Sequence, residues 1–158
     1  MDKKKVIRYI CRIAAPLMMA VIFYFSSRPG PDSDVDSMTI GRLIGEMVMP
    51  GFDDMDLQAQ LEFVMSINKA VRKTAHFMEY AVLAMLLTGA FDADDKKKSR
   101  IFAQAVIVAA LYASSDEFHQ TFVAGRSGKI GDVLIDSAGA ICGSALVLTL
   151  LRPRSVIK

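Results

Sequence analysis

Apolar residues in this chain arrive in long blocks instead of alternating with polar ones. Four blocks stand out, at about residues 6–25, 75–91, 101–120 and 133–151, the third turning polar after Ser115. Each approaches the roughly 20 residues that a helix needs to cross a hydrocarbon core. Gly, Ala, Leu and Met dominate them and no ten-residue alternation appears, so the blocks predict helices and not barrel strands. Between the first two lies a more polar segment, residues 28–72. Pro29-Gly30-Pro31 breaks the first helix, and Asp32, Asp34 and Asp36 read as a solvated acidic turn. Ile40, Leu43, Ile44, Met47 and Val48 recur at helical spacing and predict a short amphipathic helix ending at Pro50-Gly51. Asp53 and Asp54 are placed to cap a second helix with Leu57, Leu61, Phe63, Val64 and Ile67 on its apolar side. Both helices are expected to pack on the bundle or lie in the interface, a lid over an external site being the other reading. The chain therefore reads as all-α, a polytopic membrane protein of four transmembrane helices in one domain over residues 1–158, with a helical extracytoplasmic loop between spans 1 and 2.

Composition agrees: 53% of the residues are hydrophobic and the mean hydropathy is +0.33, more apolar than most water-soluble domains. Charge supplies the orientation. Lys3, Lys4, Lys5, Arg8 and Arg12 precede span one, Lys96, Lys97, Lys98 and Arg100 lie between spans two and three, and Arg152, Arg154 and Lys158 follow span four. With four spans these clusters share one side, which the positive-inside rule makes cytoplasmic, together with both termini. A three-span topology would separate the second and third clusters. A cleaved signal peptide is disfavoured because Phe25-Ser26-Ser27-Arg28 offers no small-x-small cleavage site. Cys11 and Cys142 both fall in spans, so no outer-loop disulfide is expected. A net charge of +2 gives no reason to expect nucleic-acid binding.

The polar residues inside this framework cluster. On span two, Arg72, His76, Glu79 and Tyr80 share a helix face, with Lys73 beside them. Span three ends in Ser114-Ser115-Asp116-Glu117-Phe118-His119-Gln120, placing Asp116, His119 and Gln120 on one face with Glu117 adjacent. Ala124-Gly125-Arg126-Ser127-Gly128 reads as a turn. Span four carries Asp132 and Asp136 one turn apart, then Gly139 and Gly143 as a small-xxx-small face for close helix approach. The topology brings His76, Glu79, Asp116, Glu117, His119, Arg126, Asp132 and Asp136 to similar depth near the outer surface. Ions at that depth are costly unless paired, so Arg126 is expected to pair with Asp116 or Asp132.

These residues also carry a resemblance. Arg72-Lys73-Thr74-Ala75-His76-Phe77-Met78-Glu79-Tyr80, the run from Ser115-Asp116-Glu117-Phe118-His119-Gln120 through Gly125-Arg126, and Asp132-Val133 with Asp136 and Gly139 resemble the VanZ-like family of bacterial membrane proteins. Phe25-Ser26-Ser27 fits as well. The resemblance covers nearly the whole chain and implies a small polytopic protein of the bacterial cell membrane. Some relatives are associated with low-level resistance to the glycopeptide teicoplanin. The sequence departs from the family's pattern at Ala124, where proline is frequent, and at Asp136, where asparagine is.

Three functions fit the cluster. The first is an enzyme at the outer leaflet acting on a lipid-linked or phosphate-bearing envelope substrate. In it, His76 or His119 is the acid or base and Asp116 or Glu117 orients the imidazole. Arg126 and Lys73 then hold the anion, with Glu79, Gln120, Asp132 and Asp136 as further substrate contacts. The second is a transporter or binding protein for a lipid or drug, with the cluster as a proton or headgroup relay; four spans are few for alternating access unless the protein forms a homo-oligomer. The third is a hydrogen-bonded plug that fixes helix register. No cofactor is required. A divalent metal is a minority reading, resting on His76-x-x-Glu79 and Asp116-x-x-His119. Expected partners are membrane lipids, a lipid-linked cell-wall precursor or a glycopeptide.

Overall fold

A computed structural model describes residues 2–93 and 96–150. The described residues form helices and connecting turns, without strands, and the four expected spans are present. Helix α1 is Lys3–Ser26, α2 Gly30–Val48, α3 Leu57–Phe91, α4 Lys98–Gln120 and α5 Ile130–Leu150, with a single 3₁₀ turn, Phe52–Asp54, between α2 and α3. Helices α1, α3, α4 and α5 are each long and apolar enough to cross a membrane. The end of the predicted fourth span and the basic cluster of Arg152, Arg154 and Lys158 lie outside the described residues.

Two expectations for the connecting segment need correction. The stretch predicted as a separate amphipathic helix and the second span are one continuous helix, α3, of 35 residues. Nothing in its sequence interrupts it, since it contains no proline and its one glycine is Gly89, near the end. Its cap is Asp56, whose side chain accepts from the Ala59 backbone N–H at 3.0 Å, while Asp53 and Asp54 sit in the 3₁₀ turn. At about 1.5 Å per residue α3 runs to about 52 Å, well beyond a hydrocarbon core of about 30 Å. Its first turns therefore project past the bundle, where α2 packs on them.

The second correction concerns Asp32, Asp34 and Asp36. They belong to the opening turns of α2, and two of them are paired. Arg72 Nη1 lies 2.8 Å from Asp34 Oδ1, and Arg28 pairs with Asp36. With Ser37 donating to Asn68, these contacts fix α2 against α3 and the end of α1.

Helix α3 is the hub: α1, α2, α4 and α5 all pack on it, and α5 also packs along α4. Lipid gives little hydrophobic drive to helix association, so close packing of small residues must supply it. The predicted glycine face of α5 does so. A Cβ at Gly139 would collide with the Phe77 carbonyl, and one at Gly143 with the Ala81 carbonyl. On α4, Ala105, Ala109 and Ala113 form a buried stripe at four-residue spacing, with Tyr80, Leu83, Ala84 and Leu87 of α3 in the same core. Gly89 leaves room for the Cys11 sulfur, since a Cβ there would sit 2.6 Å from it. Thr88 Oγ1 and Ser144 Oγ, both fully buried, bond across α3 and α5 at 2.8 Å. The outer faces keep large apolar residues exposed, among them Ile10, Leu17 and Tyr24 on α1, Leu111 on α4 and Leu146 on α5. In a membrane these meet acyl chains.

Cationic side chains recur at the helix C-termini, where carbonyls lack intrahelical partners. Arg12 Nε donates to Ala90 O of α3 at 3.3 Å, Lys98 Nζ to Leu148 O of α5 at 3.0 Å, and Arg126 to the end of α1.

Candidate functional site

The polar residues gather at the end of the bundle where α1 and α4 finish and α5 begins, with α3 passing through. Two turns are locked together there. The Gly30 N–H donates to Ala124 O at 2.9 Å, and a Cβ on Gly30 would collide with the Gly125 carbonyl. Gly125 itself has φ +72°, a left-handed conformation suited to glycine. Arg126 completes the lock. Its Nε donates to Arg28 O and its Nη2 to Phe25 O, each at 3.1 Å, and its Nη1 reaches Gln120 Oε1 at 3.4 Å. The expected pairing of Arg126 with Asp116 or Asp132 is therefore corrected: the guanidinium is drawn to the unpaired carbonyls at the end of α1. Burial and the like charge of Arg72 push its pKa below the ordinary arginine value, with Asp116 pulling the other way. An arginine stays charged throughout that range.

The other charges divide among separate partners. Asp132 Oδ1 pairs with Lys73 Nζ at 3.4 Å. Glu117 Oε2 accepts from the Lys129 backbone N–H at 2.8 Å and so holds the turn leading into α5. Asp116 turns inward, accepting from Ser26 Oγ at 2.7 Å and from Gln120 Nε2 at 3.2 Å. Asp136 is fully buried, and neither carboxylate oxygen has a hydrogen-bond partner among the described residues. His76 Nδ1 lies 3.9 Å from Asp136 Oδ1, too far for a hydrogen bond. His76 Nδ1, the Tyr80 hydroxyl and Asp116 Oδ1 are likewise buried without partners. Such orphans carry a desolvation cost of about 1–3 kcal/mol each, so a cluster of them calls for an explanation.

Two cavities adjoin this cluster. The larger, of about 650 Å³, lies among α3, α5, the end of α4 and the turn after it. His76, Glu117, Gln120, Asp132 and Asp136 line it together with Lys73 and Arg126, so seven of the ten candidate residues meet in one wall. The smaller, of about 310 Å³, lies among α1, α2 and α3 and takes Glu79 and Ser26. Arg72, His76 and Arg126 border both. Asp116 lines neither cavity and is buried behind them.

His119 does not line either cavity. It faces α1, its ring centroid 4.8 Å from that of Phe23 and its Nε2 3.3 Å from Ser27 Oγ. The two histidine–carboxylate pairs therefore split: His76 lies toward Asp136 while Glu79 lines only the smaller cavity, and Asp116 bonds to Ser26 while His119 stacks on Phe23. Among the described residues no three His, Cys, Asp or Glu side chains group to hold a metal ion.

Sequence reasoning passed over two basic residues of the larger cavity, Lys69 and Lys129. The signal for one was available. Lys69, Lys73 and His76 are spaced by four and three, which aligns them on one face of a helix that runs unbroken. Lys129 lies in the turn before α5, where no periodicity points to it.

A profile of the VanZ/LLP1 family matches residues 13–152. No curated protein and no solved structure matches the chain. The matched stretch includes all four spans from Ile13 onward and every residue lining the two cavities, and the chain, a multi-pass membrane protein, belongs to the VanZ/LLP1 family.

Proposed function

We propose that this protein takes the phosphate-bearing headgroup of an envelope lipid into the larger cavity and carries out acid–base chemistry on it. The observation that carries the reading is the pairing of a cationic rim with a buried, unsatisfied base of the cavity. Lys69, Arg72, Lys73, Arg126 and Lys129 contribute to its wall, and among the described residues Lys69 and Lys129 have no ion-pair partner. Cations free of internal partners, beside a membrane, suit an anion presented by a lipid. The volume is in the range of small-molecule sites. His76 is the residue placed to exchange a proton with a bound ligand, and Asp136 beside it supports the imidazolium. Both termini are cytoplasmic in this reading, which puts the cavity at the outer leaflet, as the distribution of Lys3, Lys4, Lys5, Lys96, Lys97 and Lys98 supports. A substrate there can be a lipid-linked cell-wall precursor, and altered teicoplanin susceptibility is the cellular readout of that version.

The test is binding of the purified full chain to vesicles containing phosphatidylglycerol or a polyprenyl phosphate, against diacylglycerol vesicles without phosphate. We expect binding to the phosphate lipids, reduced roughly tenfold by the double variant Lys69→Ala with Lys129→Ala, as the loss of two charge-assisted contacts implies. Equal affinity for the phosphate-free lipid would sink the reading. Labelled lipid that crosses the bilayer without chemical change, dependent on His76, would replace the enzyme by a relay.

A further inference from the structure

The smaller cavity has a chemistry of its own. Three guanidinium groups border it, and all are engaged: Arg28 with Asp36, Arg72 with Asp34, and Arg126 with the carbonyls ending α1. They are not available to hold a second anion, and Glu79 on the same wall repels one. A cationic ligand would in turn meet those three positive groups. What remains unengaged is the Glu79 carboxylate and the Ser33 hydroxyl, neither with a hydrogen-bond or ion-pair partner among the described residues. Ile40 and Val71 supply an apolar side. A carboxylate acceptor, a hydroxyl and apolar walls match a small neutral molecule bearing several hydroxyl groups. The cavity also shares His76 with the larger one.

We propose that the smaller cavity binds a neutral polyol acceptor, so that the reaction at the lipid headgroup is transfer to an acceptor hydroxyl and not hydrolysis. This rests on the headgroup reading above. The acceptor oxygen forms a bond to phosphorus while the phosphorus–oxygen bond to the leaving alcohol breaks. Glu79 takes the proton from the acceptor hydroxyl, and His76, protonated for the step, gives one to the leaving alkoxide. The sum is acceptor alcohol plus phosphodiester lipid going to a new phosphodiester and a free alcohol, with no oxidant or metal consumed.

The experiment uses the full chain in phosphatidylglycerol vesicles with radiolabelled glycerol, the probe acceptor, which regenerates the same lipid in labelled form. We expect label to enter the lipid saturably with glycerol concentration. Glu79→Gln should lower that exchange by roughly 100-fold, the scale of a lost general base, while phosphatidylglycerol binding is unchanged. Ile40→Trp, which fills the smaller cavity from its apolar side, should raise the KM for glycerol several-fold with lipid binding intact. Headgroup release to water alone, indifferent to glycerol and to both variants, would overturn the acceptor site and leave the headgroup reading standing. Absence of binding to phosphatidylglycerol and to polyprenyl phosphate vesicles alike would remove both.

Discussion

The two ends of this bundle solve the problem of polar atoms in lipid in opposite ways. Toward the end where α3 and α5 finish, contacts are close and mostly self-satisfied. Thr88 bonds Ser144, Arg12 and Lys98 cover terminal carbonyls, Gly143 meets the Ala81 backbone, and Ala109 is fully buried in the core. At the other end, of the six buried side-chain atoms that lack a hydrogen-bond partner among the described residues, five collect on His76, Tyr80, Asp116 and Asp136, the exception being Arg8 Nε. One end uses its sequence for stability. The other tolerates unsatisfied groups beside two cavities, the arrangement expected where stability yields to ligand chemistry.

The largest effect should come from the packed end. Gly143→Leu drives a side chain into the Ala81 carbonyl, and overpacking of this kind costs on the order of 3 kcal/mol or more. Little folded protein should survive, as read by detergent thermal melts followed by circular dichroism; an unchanged melt would mean that the helices are not held by this contact. His76→Gln, at the polar end, should instead keep the fold and lower turnover on the phosphate lipid by roughly 10²–10⁴, the contribution of a positioned acid–base group. If His76→Gln unfolds the protein as Gly143→Leu does, the two ends do not differ as described. Asp136→Asn removes a buried carboxylate that accepts no hydrogen bond among the described residues and keeps its shape, so we expect a gain in stability of about 1–3 kcal/mol, seen as a higher melting temperature by calorimetry. A loss would show that the carboxylate is held by favourable interactions. Thr88→Val should give the smallest change, a loss of about 0.6 kcal/mol, the usual worth of a hydrogen bond between membrane helices. Calorimetry can resolve it against the wild type.

The spans were legible because their blocks are long and interrupted by strong breakers, Pro29-Gly30-Pro31 above all. The glycine face of α5 was equally plain, since Gly139 and Gly143 repeat at four. The continuity of α3 was missed for the opposite reason: the change from amphipathic to mostly apolar near Ala75 marks a change of surroundings and not a break in the backbone. Helical spacing likewise showed which candidates share a face of one helix but not how each helix is turned toward its neighbours. His119 illustrates this. It stands three residues after Asp116 and one before Gln120, yet the aromatic ring of Phe23 on α1 lies on its side, and it turns there while the other two point inward. Arg126 was placed correctly at the cluster but with the wrong partners, because carbonyls left open at the end of another helix leave no mark in the sequence.

The uninterrupted length of α3 has a mechanical consequence. From Asp56 to Gly89 it offers no weak point, so the projecting part clasped by α2 and the part bearing His76 form a single lever. Whatever presses on α2 from outside the bundle, a neighbouring protein or the membrane surface, tilts the imidazole and the walls of both cavities in the same stroke.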